Sequence, residues 1–327
     1  MKSKTFVIAA FTFLLAAFFA AHVQSQDSAP KKQTRREVAV TFDDLPVVST
    51  RRDLKSHREI TVRLLKSITS NRVPAIGFVN ENKLLGDGKR DESRVALLRL
   101  WIDAGLELGN HTFSHIDMHT TPLTEFQDDV IRGEEATARL LTEKGKKLRY
   151  FRHPFLHTGR DLETKQRFEE FLAGRGYRIA PVTVDNSDWI FARAYDRAIE
   201  SGDRSSMKRI AEAYIPYMEK KFEYFEKQSA ALFSYEIKQV LLLHANALNA
   251  DHFDDLARMM KRRGYAFITL DEALKDEAYR SPDTYTGAGG ITWLHRWAIT
   301  KGMKGEFFRG EPATPDFILK LAGVTSE

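Results

Sequence analysis

Two adjacent carboxylates, Asp43 and Asp44, end the run Val38-Ala39-Val40-Thr41-Phe42, whose β-branched and aromatic residues predict a strand. Side by side in a dry site the two acids repel, so a metal ion, an arginine or water must offset them. Further along, His111 and His115 form an H-x-x-x-H pair. A spacing of four predicts two imidazoles on one side of a helical turn, within reach of one metal. With Asp44 or Asp43 as third ligand, the set becomes two histidines and one carboxylate. That leaves coordination positions open for water and substrate and suits zinc and other divalent first-row metals. The remaining acid would then stand beside the attacking water, placed to take its proton. Arg152, Asp188 with Trp189, and His244 are further groups of this kind. Five of the ten histidines fall between His111 and His157.

These side chains share one feature: each follows a predicted strand. Strands are predicted at 38–43, 75–79, 106–109, 148–151, 178–184, 240–243 and 266–268. Between them helical periodicity predicts helices. One at 57–70 has Ser56 and Glu59 in capping-box spacing and Ile60, Leu64, Leu65 and Ile68 on its apolar face. Another at 92–104 carries Val95, Leu98 and Trp101. A third starts at Thr124 and presents Phe126, Val130, Leu140 and Leu141. A fourth, with Phe168, Phe171 and Leu172, stops at Gly174/Gly176. A long aromatic stretch at 206–231 is expected to kink or divide at Pro216. A helix at 252–263 ends at Gly264, and Thr269 with Glu272 caps a last one. Seven β-then-α units in series predict a parallel sheet with helices outside it. Catalytic residues in such a barrel sit at the carboxyl ends of the strands, where the residues above fall. No Gly-rich phosphate loop follows the first strand, which argues against a nucleotide cofactor.

Five ordered segments carry a resemblance. Thr41-Phe42-Asp43-Asp44, His111-Thr112-Phe113-Ser114-His115, Phe151-Arg152-His153-Pro154-Phe155, Asp185-Asn186-Ser187-Asp188-Trp189 and Leu241-Leu242-Leu243-His244 resemble the motifs of the NodB-type polysaccharide deacetylases, carbohydrate esterase family four. The resemblance runs from about 37 to 275 and implies a distorted (β/α)7 barrel. It implies Asp43 as general base, Asp44, His111 and His115 as metal ligands, and Arg152 as the group that orients and charge-balances the base. It also implies an oxyanion donor at the backbone N–H of Phe155, next to Pro154. His244, kept protonated by Asp188, would be the leaving-group acid, and Trp189 and Leu242 would line the acetyl and sugar pocket. The cofactor implied is one divalent ion, zinc first, with cobalt or manganese as alternatives. Two departures stand out: Leu45-Pro46 where the family has glycine, and His153-Pro154-Phe155-Leu156 where it has Pro-Pro-Tyr-Gly. His153, His157, His119, Asn80 and Asn246 are additional polar side chains near the expected cleft.

The 327 residues, 43% hydrophobic, suffice for one large domain. Lys2 and Lys4, the apolar run Phe6–Ala21, and small residues at Val23 and Ser25 predict a signal peptide over 1–25. A polar leader follows at 26–36, then the deacetylase-like domain at 37–275 and a C-terminal helical extension at 276–327. The expected location is periplasmic or secreted, with a retained membrane anchor as the alternative. Cysteine is absent, so a core rather than disulfides must hold the fold. Removing Lys2 and Lys4 takes the formal charge from +5 to +3, which makes no case for nucleic acid. The expected partner is a polysaccharide or oligosaccharide, and the expected state a monomer. Three functions compete: N-deacetylation of an N-acetylhexosamine glycan, O-deacetylation of a polymer such as xylan, and silent glycan binding. A serine esterase is unsupported, since no G-x-S-x-G elbow occurs.

In the extension, Gly287-Ala288-Gly289-Gly290 reads as a joint before Ile291, Leu294 and Trp297 on one helical face. A second short helix is predicted after Thr314-Pro315, with Thr314 as cap and Pro315 as first helical residue. Its apolar residues are Phe317, Ile318 and Leu321. Packing on the barrel flank is the favoured reading; a sugar-binding lid built on Trp293 and Trp297 is the alternative.

Overall fold

A computed structural model describes residues 35–327. The expected signal peptide and nearly all of the leader lie outside the described residues. Among the described residues no helix is long and apolar enough to cross a membrane. In chain order the barrel half begins with β1 (Arg36–Leu45), α1 (Leu54–Ser70), β2 (Ile76–Val79) and a small hairpin, β3 (Leu85–Gly86) and β4 (Lys89–Arg90). Then come α2 (Glu92–Asp103), β5 (Glu107–Asn110), α3 (Leu123–Arg132), α4 (Glu135–Thr142), β6 (Tyr150–Phe151), α5 (Leu162–Gly174) and β7 (Arg178–Ile179). The chain continues through α6 (Asp188–Glu200), α7 (Arg204–Phe233), β8 (Gln239–His244), α8 (Ala247–Arg262), β9 (Tyr265–Phe267) and α9 (Leu270–Ala273). The extension adds α10 (Trp293–Thr300) and α11 (Asp316–Ala322).

The seven expected strands form one parallel sheet, ordered β7-β6-β5-β2-β1-β8, with β9 beside the start of β1. The chain leaving β7 swings round to β8: Val184 bridges Leu241, and Leu242 N–H donates to Val184 O at 3.1 Å. The sheet thus curls into the distorted barrel. β1 lies at its centre, buried along most of its length, in register with β8 from Val38↔Gln239 to Asp43↔His244. That register puts the acid pair level with the histidine that ends β8. Phe42 anchors the strand edge-on to Trp101 at 5.5 Å and against Phe253 at 5.7 Å. Each such buried aromatic contributes about 1.5–3 kcal/mol of transfer free energy.

Several local expectations are corrected. The cap of α1 is Asp53, whose carboxylate accepts from Ser56 N–H at 2.8 Å. An ionised acceptor three residues before its donor outcompetes the serine and lengthens the helix. α3 starts after Pro122 rather than at a Thr124 cap and ends at Gly133, so the predicted single helix is two. Gly133 is required there: a Cβ would lie 2.7 Å from Thr112 C and 2.8 Å from Phe113 N. α7 runs unbroken through Pro216. That residue lies on the exposed face, where the carbonyl it leaves unpaired meets solvent, while Tyr214, Tyr217, Met218, Phe222 and Phe225 bury the other face. α6 was not foreseen; Ile190, Phe191, Ala194, Tyr195 and Ala198 are all buried in it. α8 starts at Ala247, capped by Asn246, earlier than the predicted 252.

In the extension, Thr292 caps α10 and Pro315 takes the cap position of α11, with no capping bond from Thr314. Trp293, Leu294, Trp297 and Ile318 are buried. Trp297 meets Phe233 of α7 edge-on at 5.7 Å, and Arg193 of α6 donates to Ala322 O at 2.9 Å. The two helices therefore pack on the barrel flank, and neither tryptophan forms a lid.

Candidate metal and catalytic site

The carboxyl ends of β1, β5, β6 and β8 open into a cavity of about 600 Å³. Asp43, Asp44, His111, His115, Phe155, Trp189, Leu242 and His244 line it.

Asp44, His111 and His115 are brought together. Their ligand atoms lie within 4.8 Å of one another, and both histidine Nε2 atoms stand 3.4 Å from Asp44 Oδ1. His111 Nδ1 donates to Arg152 O at 2.8 Å. A carbonyl can only accept, so Nδ1 carries the proton and the Nε2 lone pair faces the acid. Burial, then the neighbouring His115, holds His111 well below its ordinary value, and burial lowers His115 too. Both rings are therefore neutral near pH 7, the form that binds a metal. Burial opposes the charge on Asp44, but Lys83, His115 and His111 outweigh it, and the carboxylate stays far below its usual range. Asp44 Oδ1 is buried and has no hydrogen-bond partner among the described residues. Two neutral imidazoles facing an orphaned anionic oxygen fit a divalent cation.

The backbone around these three residues is strained. His111–His115 is a loop, not the predicted helical turn. Asp44 (φ 64°), Thr112 (φ 66°) and His115 (φ 55°) are left-handed without being glycine. Each such residue costs on the order of 1–3 kcal/mol, which the surroundings must offset. Asn110 Oδ1 accepts from Thr112 N–H at 2.7 Å, Thr112 Oγ1 accepts from His115 N–H at 2.9 Å, and Asn80 Nδ2 donates to His111 O at 2.5 Å. Lys83 donates to Asp44 O at 2.9 Å and stands 3.5 Å from its carboxylate. Sequence reasoning missed Lys83, which follows β2 on a short turn with no periodic signal.

Asp43 and Arg152 form a buried pair: Arg152 Nη1 is 3.0 Å from both oxygens of Asp43. The guanidinium, 0% exposed, also donates to Ala180 O at 2.7 Å and Thr41 Oγ1 at 3.0 Å, and lies 4.7 Å over Phe78. Burial raises Asp43 to about 6, with Arg152 opposing it. His244 faces Asp43 across the β1/β8 register. Its Nδ1 donates to Asp188 Oδ1 at 2.7 Å. Asp188 Oδ2 accepts from His244 N–H at 2.9 Å, Asn249 Nδ2 at 2.8 Å and Asn246 Nδ2 at 3.2 Å. Burial disfavours the imidazolium, but Asp188 outweighs it and holds His244 at about 9. An acid near 9 and a base near 6 thus face one cavity, the pairing that acid–base hydrolysis needs.

Phe155 is left-handed (φ 56°), 51% exposed, and sets its ring edge-on to His115 at 4.5 Å. Pro154 is buried beneath it and is not on the cavity wall, whereas Trp189 and Leu242 are. His153 is buried, its ring edge-on to Phe151 at 5.1 Å, and neither nitrogen is bonded among the described residues. His157 pairs with Asp117 at 2.7 Å and stacks on His119 at 4.3 Å. The wall away from the triad carries Lys221, from α7, paired with Glu311 of the extension at 2.7 Å.

The polysaccharide deacetylase family model matches residues 30–170. A peptidoglycan-N-acetylglucosamine deacetylase of Bacillus cereus is 28% identical over 155 residues, 47% of this chain and 47% of that protein. A chitin deacetylase of Colletotrichum lindemuthianum is 28% identical over 152 residues, 46% of this chain and 52% of that one. The matched region spans about half the length of both curated relatives. A family 4 carbohydrate esterase from Streptomyces lividans superposes with a TM-score of 0.46 at 19% identity, covering 73% of this chain and 95% of the other. The family match holds the first three motifs, and the fold carries the last two, Asp188-Trp189 and His244, to the same cavity. Over residues 30–170 the chain is similar to the polysaccharide deacetylases, and the curated relatives that match there are deacetylases of peptidoglycan and of chitin.

Proposed function

We propose that this protein is an exported, divalent-metal-dependent hydrolase that removes N-acetyl groups from an N-acetylhexosamine glycan. The observation that carries the reading is the orphaned Asp44 Oδ1 facing two neutral imidazoles, beside a buried base and a charged histidine in one cavity. The similarity to deacetylases of peptidoglycan and chitin supports the substrate class.

Asp44, His111 and His115 would hold the ion, zinc first. When bound, it supplies Lewis acidity to the acetyl carbonyl and to a water near neutral pH. Asp43 accepts the proton of the attacking water, and Arg152 keeps its carboxylate aimed and charge-balanced as that proton arrives. The backbone N–H of Phe155 donates to the oxygen that gains negative charge. His244, protonated against Asp188, gives its proton to the departing nitrogen. An amine leaves far less readily than an alkoxide, so a firmly protonated histidine favours the amide over the ester reading. Leu242 and Trp189 provide an apolar wall for the acetyl methyl and the sugar face.

The test is acetate release from N-acetylglucosamine oligomers, peptidoglycan and acetylated xylan, each with and without a strong chelator. Chelator-sensitive release from the N-acetylated polymers is expected. Release from xylan alone would replace the amide reading by the ester one, and no release from any polymer would overturn both.

A further inference from the structure

The strained loop over the triad is held from outside the family's own motifs. Phe155 and Leu156 are consecutive left-handed residues, φ 56° and 55°, so this turn would relax unless its surroundings fixed it. Those surroundings belong to the extension. Arg296 of α10, 1% exposed, donates from Nη1 to Leu156 O at 3.0 Å and from Nη2 to Thr158 Oγ1. Its Nε donates to Asp283 Oδ2 at 2.9 Å, and its guanidinium lies 4.6 Å over the Trp293 ring. On the other side Gly290 is pressed against the loop: a Cβ there would lie 2.2 Å from Phe155 O. α10 itself is tied to the barrel wall by Trp293 N–H donating to Val182 O at 2.8 Å.

We infer that the C-terminal extension is part of the substrate machinery: Arg296 and Gly290 clamp the Phe155–Thr158 loop and so set the sugar-facing wall above the metal triad. Arg296 is a positioning residue, and Phe155 is the group that meets substrate. The exposed Phe155 ring, held against His115, presents an apolar face of the kind a pyranose ring covers. The inference rests on the proposed deacetylation, and it assigns the extension more than flank packing.

Two variants act on opposite sides of the loop. Arg296→Met removes the clamp but leaves Asp283 paired, because Lys165 Nζ stands 2.7 Å from its Oδ2. Gly290→Ala pushes on Phe155 O without touching a charge. Kinetics on an N-acetylglucosamine oligomer, zinc affinity by competition with a chromophoric chelator, melting temperature, and hydrogen exchange of the 155–158 amides are measured on both. Misplacing a catalytic wall by about 1 Å costs up to roughly a hundredfold. Both variants are therefore expected to lose roughly tenfold or more in kcat/KM, with zinc affinity within about twofold of wild type. Exchange at 156–158 should accelerate in Arg296→Met, and Arg296→Lys should recover part of the loss. Unchanged kcat/KM in either folded variant, or a loss that only follows zinc affinity or melting temperature, overturns the inference. If the wild type itself turns over no amide, the deacetylase reading fails instead. Hydrogen exchange then still decides the clamp: unchanged protection at 156–158 in Arg296→Met refutes it.

Discussion

Replacing Asp188 by Asn should move the alkaline limb of the pH–rate profile. Asp188 is fully buried and holds His244 through Nδ1 at 2.7 Å and through the backbone N–H at 2.9 Å. His244 rises from 6.5 to about 9. At about 1.4 kcal/mol per tenfold, that is about 3 kcal/mol in favour of the imidazolium. The His244 side chain is 17% exposed, so solvent screens little of it. Asparagine keeps the size but not the charge, leaving burial to pull the ring to 6.5 or below. Near pH 8 the protonated fraction should then fall from about nine-tenths to a few per cent, about a 30-fold loss in kcat; near pH 6 the loss should be small. The sign follows from the raised value: activity is present below about 9 in the wild type and below about 6.5 in the variant. Initial rates on an N-acetylglucosamine oligomer from pH 5.5 to 10, at saturating zinc, read it directly. A variant with its alkaline limb still near 9 would refute the acid role.

Asp43→Asn should keep zinc but lose roughly a hundredfold or more in kcat, since an amide cannot take the water's proton. His115→Ala should lose zinc affinity as well, and if Asp43→Asn strips the metal while Asp44→Asn does not, the two carboxylate roles are reversed. The metal-free protein should be most stable towards the acid side of neutrality for this histidine: the His244 contribution is complete below about 6.5 and lost as pH rises through about 9, and Asp188→Asn should flatten that slope in urea titrations. Trp297→Ala should cost about 3–5 kcal/mol, because the ring fills the space between Phe233 and Tyr279; a loss under about 1 kcal/mol would contradict flank packing.

The barrel was legible because buried parallel strands read as apolar runs and each acid, histidine or arginine of interest follows one. Val38–Asp44 and Val240–His244 needed nothing beyond local pattern. The triad was legible from residue type, but its conformation was not. Left-handed Asp44, Thr112 and His115 depend on Asn110, Asn80 and the close approach of Gly133. None of those contacts leaves a trace in H-x-x-x-H spacing. α6 escaped although its exposed Trp189, Arg193, Arg197 and Glu200 recur at helical spacing, because no side-chain cap marks its start at Ser187. The roles of Lys83, Arg296 and Gly290 were equally silent. Arg296 meets the loop it holds across 140 positions of sequence, and in composition it is one charged residue among many. The two tryptophans drew attention to the extension, yet the contact with the catalytic loop comes from the arginine and glycine between and before them.

The central claim is that an ion at Asp44, His111 and His115 is needed for amide cleavage. The measurement that tests it most directly is the product balance on an N-acetylglucosamine oligomer, with acetate and free amine counted together, for zinc-loaded, chelated and zinc-restored protein. The account predicts equal amounts of acetate and amine from the loaded and restored samples and neither from the chelated one. Full turnover by a sample shown to contain no metal, or acetate without a matching amine, would contradict it.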